Sequence, residues 1–200
     1  MVFTLEQPML PLILASSSPY RRQLLQKLQL PFECCNPDID EAAKLDEHPL
    51  QLVTRLAISK ARAISQSYPR HLIIASDQVA GLNGNILTKP GNFDTAIDQL
   101  RQCSGQQVIF YTGLALLNTS SGQLQDCVET YTVNFRHLSN DGIRRYLLAE
   151  QPYDCAGSFK MEGLGITLFE SLHGNDPNSL IGLPLIKLVT MLNHEGITVP

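Results

Sequence analysis

Leu12-Ile-Leu-Ala-Ser-Ser-Ser-Pro-Tyr-Arg-Arg22 constrains the fold of this chain more than any other stretch. Four apolar residues read as the end of a buried strand, three serines as a tight loop, and Pro19 as the first residue of a helix carrying Leu24, Leu25 and Leu28. Strand, hydroxyl-rich loop and helix start are therefore expected in direct succession. Ser18 suits the N-cap, and the free amides and positive dipole end behind it favour an anion such as phosphate. Arg21 falls at the centre of the stripe formed by Leu24, Leu25 and Leu28, so its guanidinium points toward the protein body. An inward-facing cation beside a helix N-terminus wants an anionic partner, and Arg22 follows it in the same turn.

Length and charge narrow the classes that such a motif can serve. Two hundred residues with 44% hydrophobic content suffice for one large domain or two lobes sharing a core. A net charge of −4 with only 15 Lys plus Arg argues against a nucleic-acid-coating surface and points to a small anionic ligand in a local basic pocket. Five cysteines, with no C-x-x-C and with Cys34 and Cys35 adjacent, read as reduced thiols of a cytoplasmic protein. The histidines show no metal-ligand spacing, so no zinc box is expected. Residues 1–11 read as a loose tail without the basic region of a signal peptide. No apolar run approaches the roughly 20 residues of a membrane span, and no membrane partner is expected.

Further along, Pro31–Cys35 reads as a short strand and Asn36–Glu41 as an acidic loop. Its three carboxylates within four residues suit either a solvated turn or a divalent cation, which takes hard oxygen ligands. From about Pro49 to Tyr68, Val53, Leu56, Ala57, Ala61 and Ile64 follow a helical repeat. Lys60 breaks it near the centre of the apolar stripe, where an unpaired ammonium is costly to desolvate. It either snorkels along its stem or lines a pocket, and the pocket is the preferred reading. His71-Leu-Ile-Ile-Ala-Ser-Asp77 reads as a central strand buried on both faces, with Ser76, Asp77 and Gln78 at its carboxyl end, where ligands of open α/β sheets collect. Asp77 is there either a base or metal ligand, or a structural cap.

Val79–Thr88 reads as a hairpin around Asn83-Gly84 that returns Lys89 toward Asp77. A helix over Asn92–Gln102, an antiparallel strand pair over Gln107–Asn118 and Leu124–Leu138, and a helix over Ser139–Glu150 follow. The glycine-rich loop Asp154–Gly165 carries Lys160 and Glu162. Ile166–Leu172 reads as a strand, and Gly182-Leu-Pro-Leu185 leads into a last helix ending near Gly196. A mixed α/β fold with a strongly curved antiparallel component is expected.

Hydroxyls at Ser16 and Ser18, cations at Arg21, Arg22, Lys60 and Lys89, and carboxylates at Glu41 and Asp77 are the parts of polyphosphate chemistry. Cations can offset phosphate charge and the charge growing on a leaving group, while carboxylates hold a metal and orient or deprotonate water. No G-x-x-x-x-G-K-[ST] occurs, so the chain is not a P-loop NTPase.

On these motifs the sequence resembles the Maf-type nucleoside triphosphate pyrophosphatases. Leu14-Ala-Ser-Ser-Ser-Pro-Tyr-Arg-Arg22 matches their S-x-S-P signature, Leu56–Ala61 their helix lysine, Ser76-Asp-Gln78 their catalytic strand end and Lys89-Pro90 their hairpin lysine. Gly182-Leu-Pro184 matches a further landmark. The resemblance implies a tail over residues 1–11 and one elongated, two-lobed Maf/ITPase-like domain over residues 12–200, with a central cleft and frequent homodimers. It also implies hydrolysis between the α- and β-phosphates of a nucleoside triphosphate, with Asp77 as proton acceptor, Glu41 and Asp77 at a divalent metal (Mg²⁺ or Mn²⁺), and Ser16, Ser18, Arg21, Arg22, Lys60 and Lys89 on the phosphates.

Members acting on dTTP and UTP carry Arg, Thr and Gln where this chain has Tyr20, Gln78 and Glu162. The present residues look like the subgroup that hydrolyses 7-methyl-GTP, although members there carry Trp in place of Tyr20. A 7-methylated guanine is cationic, so Tyr20 can stack on it and Glu162 can accept from its ring N–H and amino group. A dTTP/UTP pyrophosphatase and a non-catalytic nucleotide-binding regulator of cell division are the alternatives.

Overall fold

Strand β1 (Leu12–Ala15) is buried at every residue because parallel neighbours flank it, β2 (Phe32–Cys35) on one side and β3 (Leu72–Leu82) on the other. In the computed structural model, which describes residues 9–199, these strands open a seven-stranded mixed sheet in the order β2-β1-β3-β5-β6-β7, with β4 (Asn85–Leu87) hairpinned onto β3. β5 (Gln107–Asn118), β6 (Leu124–Phe135) and β7 (Phe169–Gly174) continue it antiparallel. The mixed α/β class expected from the sequence is the one observed. Residues 1–8 of the expected tail lie outside the described residues; Leu10 already packs on the core, and the Pro11 carbonyl accepts from the Leu72 amide at 2.9 Å.

The unbroken apolar runs of β1 and β3 follow from layers on both faces of the sheet. Leu12, Leu14, Leu72 and Ile74 face α1 (Pro19–Gln26) and α6 (Leu185–His194), whereas Ile13, Ala15, Ile73 and Ala75 face α2 (Pro49–Ala63). A third cluster gathers α3 (Phe93–Cys103), α4 (Asn140–Glu150) and the far ends of β5 and β6 around Phe110, Phe135, Phe159 and Phe169. Those four rings meet edge to face, an arrangement their quadrupoles favour.

Several local expectations change, and β6 ends at Phe135 rather than Leu138. β3 does not end at Asp77: its parallel pairing with β1 ends at Ile74, but it runs on to Leu82 against β5, so Asp77 lies mid-strand just past the end of β1. The continuous apolar run stops at Ser76 because the strand thereafter meets polar partners, Lys60 of α2 on the Asp77 side and the 179–182 carbonyls on the other. α2 ends at Ala63, and Ile64–Tyr68 wind into turns ahead of Pro69, whose ring disfavours a helical predecessor. The strand placed at Ile166–Leu172 is a 3-10 helix (Leu164–Leu168) followed by β7. Gly165 packs so closely on the Lys160 carbonyl that a Cβ there would lie 2.2 Å from its oxygen, and this turn delays the strand. A five-residue helix, α5 (Pro177–Ile181), also appears, capped by Asp176.

Gly113 places α2 against the sheet. A Cβ there would lie 2.4 Å from the Val53 carbonyl oxygen, so only glycine lets the helix lie this close to β5. Gly113 is the cross-strand partner of Asp77, and the close approach sets Lys60 of α2 directly over that carboxylate.

Candidate active site

Beyond the end of β1 the sheet opens into a cleft of about 670 Å³, lined by the β1–α1 loop, the acidic loop, α2, β3, the β4 hairpin and the 154–165 loop. Lys60 lies at its floor, only 4% exposed. Its Nζ is 2.6 Å from Asp77 Oδ1 and 2.6 Å from Glu41 Oε1, so one buried ammonium joins two carboxylates. The break in the helical stripe therefore marks a pocket lysine. Burial pushes the Glu41 carboxyl up, but its hydrogen bond to Lys60 and the charges of Lys60, Lys89 and Arg21 outweigh this and hold it below its ordinary value.

Arg21 enters from the first turn of α1. Its Nε donates to the Gly182 carbonyl at 2.9 Å, and among the described residues its terminal amino groups have no hydrogen-bond acceptor. Burial lowers the guanidinium's value from its ordinary one, while Asp77 and Glu41 act in the opposite sense. Ser16 Oγ accepts from the Ser18 amide at 3.1 Å, and Ser18 Oγ caps α1 by accepting from the Arg21 amide at 3.4 Å. Lys89 lines the same cleft, returned by the β3–β4 hairpin as expected.

Tyr20 lies toward the other end. Lys160 places its ammonium 5.5 Å from the Tyr20 ring centroid and 3.8 Å from Glu150 Oε1. Contact with the Tyr20 hydroxyl holds that ammonium above its ordinary value against burial. Burial in turn pushes the Tyr20 hydroxyl up, with Lys160 pulling the other way. Glu162 lines the cleft and is exposed. Cys155 does so too, its thiol pushed up to about 12 by burial and by Asp154.

Ser16, Ser18, Tyr20, Arg21, Glu41, Lys60, Asp77, Gln78, Lys89 and Glu162 thus share one cleft. Arg22 does not: it is exposed and borders a separate surface depression with Gln26 and Glu33. In Gln78 the amide nitrogen is engaged by protein, donating to Ser179 O at 2.7 Å, Leu180 O at 3.1 Å and Thr112 Oγ1 at 2.9 Å. Sequence reasoning assigns no role to Lys160, which sits in a loop without periodicity; its charge beside Glu162 in the run Gly157-Ser-Phe-Lys-x-Glu-Gly163 is the signal that marks it. It also gives none to the Gly182 carbonyl, a backbone group.

Residues 11–195 match the family described as Maf-like protein. The chain belongs to that family. Among its relatives, the 7-methyl-GTP pyrophosphatase of Pseudomonas savastanoi pv. phaseolicola is 62% identical over 94% of this chain and 98% of its own. The 7-methyl-GTP pyrophosphatases of Pseudomonas putida and Pseudomonas aeruginosa are 61% and 58% identical, over 96% and 94% of this chain and 100% and 98% of theirs. In fold, the Maf-like chain is similar to the Staphylococcus aureus Ham1 protein, with a TM-score of 0.53 at 12% identity over 92% of this chain and 99% of that one. No helix among the described residues is long and apolar enough to cross a membrane.

Proposed function

We propose that this Maf-like protein hydrolyses 7-methyl-GTP to 7-methyl-GMP and pyrophosphate, water adding at the α-phosphorus as the α–β bridging bond breaks. The observation that carries this is the arrangement of one cleft. Lys60 and Asp77, both buried, lie at one end with Arg21 and the half-exposed Glu41, and an aromatic face with an exposed carboxylate, Tyr20 and Glu162, at the other. Relatives 58–62% identical over almost the full chain, themselves named 7-methyl-GTP pyrophosphatases, support it.

Asp77 takes the proton of the attacking water through a carboxylate oxygen, while Lys60 fixes that carboxylate on the strand. Arg21, Lys60 and Lys89 offset phosphate charge, with Ser16 and Ser18 at the loop below α1. Tyr20 stacks on the cationic base, an interaction worth about 0.5–2 kcal/mol, and Glu162 accepts from the base N–H groups. A neutral or anionic base gains less from this face.

Four cations, Arg21, Lys60, Lys89 and Lys160, line the cleft against four carboxylates, Glu41, Asp77, Asp154 and Glu162. The lining is therefore close to neutral, and a triphosphate needs a further cation. No group of three His, Cys, Asp or Glu side chains among the described residues forms a metal cage. The carboxylates of Asp77 and Glu41 meet on Lys60 Nζ through one oxygen each, and their second oxygens, which carry no hydrogen bond among the described residues, fit a hard cation such as Mg²⁺ or Mn²⁺ that keeps phosphate and water oxygens in its shell. Glu41 and Asp77 would hold it, and when bound it would draw charge from the phosphate oxygens. Free thiols at all five cysteines support a cytoplasmic setting. The homodimer implied by the family resemblance forms part of the same proposal, and light scattering in solution checks it.

Pyrophosphate release, measured with Mg²⁺ or Mn²⁺ over 7-methyl-GTP, GTP, dTTP and UTP, tests the reading. Fastest turnover per KM on 7-methyl-GTP is expected. Preference for dTTP or UTP would reject the assigned base, and tight binding without release from any nucleotide would reject catalysis.

A further inference from the structure

Gly182-Leu-Pro184 carries no charge or hydroxyl for a phosphate, yet its first residue touches the cleft's buried cation. Gly182 follows the C-terminal turn of α5 with φ at +122°, and its amide donates to the Asn178 and Ser179 carbonyls. Its own carbonyl is thereby left free for side chains. It accepts from Arg21 Nε at 2.9 Å and from Ser76 Oγ at 2.9 Å. Ser76 is fully buried, and its single hydroxyl proton is shared between the Gly182 carbonyl and the Gly113 carbonyl, the latter at 2.7 Å.

Side chains alternate along β3, so Ser76 and Gln78 share the face toward α5, while Asp77 faces Lys60. Gln78 and Thr112 grip the Ser179 and Leu180 carbonyls of the same turn, Thr112 Oγ1 reaching Ser179 O at 2.8 Å. The Ser179, Leu180 and Gly182 carbonyls at the C-terminal end of α5 are thus fixed by three side chains of the central sheet. Arg21 is the one ligand of this turn that comes from the phosphate loop.

We propose that Gly182 and Ser76 are positioning residues: the Gly182 carbonyl, fixed from behind by Ser76, aims the Arg21 guanidinium at the substrate phosphates. A guanidinium is a rigid planar fork, so one bond at Nε sets where both terminal amino groups point. Glycine is required at position 182 twice over. Its φ lies in the region that side chains avoid, and a Cβ there would lie 3.3 Å from Arg21 Nε, tight enough to push the fork aside. The proposal rests on Arg21 holding phosphate, as described above.

Steady-state pyrophosphate release from 7-methyl-GTP with Ser76→Ala, Gly182→Ala, Arg21→Ala and the Ser76→Ala/Arg21→Ala double variant tests it. Ser76→Ala is expected to raise KM about five- to tenfold, the scale of one lost hydrogen bond, and to lower kcat less. Gly182→Ala should do the same or more. Because Ser76 acts through Arg21, its effect should vanish once Arg21 is Ala. Full multiplication of the two single losses in the double variant would overturn the proposal while leaving Arg21 as a phosphate ligand. An Arg21→Ala variant with unchanged KM would instead reject the phosphate role itself. Should Ser76→Ala fail to fold, Ser76→Cys, which keeps a weak donor, enters the same cycle and decides in the same way.

Discussion

The two ends of the cleft are built differently. At the phosphate end Lys60, Asp77 and Arg21 sit on regular elements and short contacts lock them: Lys60 to Asp77 at 2.6 Å and Arg21 to Gly182 at 2.9 Å, with Glu41 reaching Lys60 at 2.6 Å from the acidic loop. At the base end Lys160 and Glu162 belong to a glycine-rich loop between two short 3-10 helices, and Glu162 has no ion-pair partner among the described residues. The shared chemistry of phosphate hydrolysis needs preorganised charge, which a sheet and two helices supply. Under the proposed roles the choice of base is shared between Tyr20, in the first turn of α1, and Glu162 on a loop, where residues change without disturbing the sheet. Reaction and selectivity are therefore separable in this chain.

Substitutions at the two ends break or sharpen that contrast. The largest effect is expected from Asp77→Asn, which removes the proton acceptor but keeps its shape. Turnover should fall about 10²- to 10⁴-fold with thermal unfolding little changed, and near-normal turnover would remove Asp77 as base. Lys60→Met comes next. It leaves Asp77 buried without its ammonium, so stability measured by denaturant should drop by about 3 kcal/mol, the low end for a broken buried pair because Glu41 is half exposed. Stability within error of the parent would show that the pair contributes nothing to the fold.

Tyr20→Ala, at the base end, should raise KM for 7-methyl-GTP about three- to thirtyfold and leave kcat and stability close to the parent. Equal KM changes for 7-methyl-GTP and dTTP would remove the stacking role. Smaller still is the effect of pH. Glu41 is held below its ordinary value near 4.5, so the stability its ion pair gives is complete above that value and is lost only as pH falls through the lower, folded one. Tyr20 and Lys160 are both raised from ordinary values of 10.0 and 10.5, so neither changes charge near neutrality. KM for unmethylated GTP should accordingly stay flat between about pH 7 and 9, whereas KM for 7-methyl-GTP should rise as the methylated base loses its ring proton, and with it its charge. Cys155, with its thiol at about 12, should resist iodoacetamide at neutral pH although it lines the cleft. Rapid alkylation by mass spectrometry would show that the loop opens.

The same division decides what a reader of the sequence can see. Lys60 is legible because it interrupts a helical stripe, and Arg21 because it sits on the stripe of its own helix: a charge in an apolar repeat announces a pocket. Asp77 is legible as chemistry but not as geometry, since an apolar run cannot tell a strand's end from the point where its parallel neighbour stops. The start of β7 is displaced by the Gly165 turn, and α5 is too short for any period to show. Lys160 lies in a loop with no repeat to violate. The Gly182 carbonyl is a backbone atom, and only the fold shows that Arg21 leans on it.

Glu162→Gln tests the separation of reaction from selectivity most directly, because it changes one atom of the exposed loop and none of the buried cluster. The measurement is kcat/KM for pyrophosphate release from 7-methyl-GTP and from dTTP, in parent and variant, with the same divalent cation. The expected result is a loss of about tenfold on 7-methyl-GTP, the scale of one charged hydrogen bond, with little change on dTTP and unchanged kcat. An equal loss on both nucleotides would contradict it, and would place Glu162 in the reaction rather than in the choice of base.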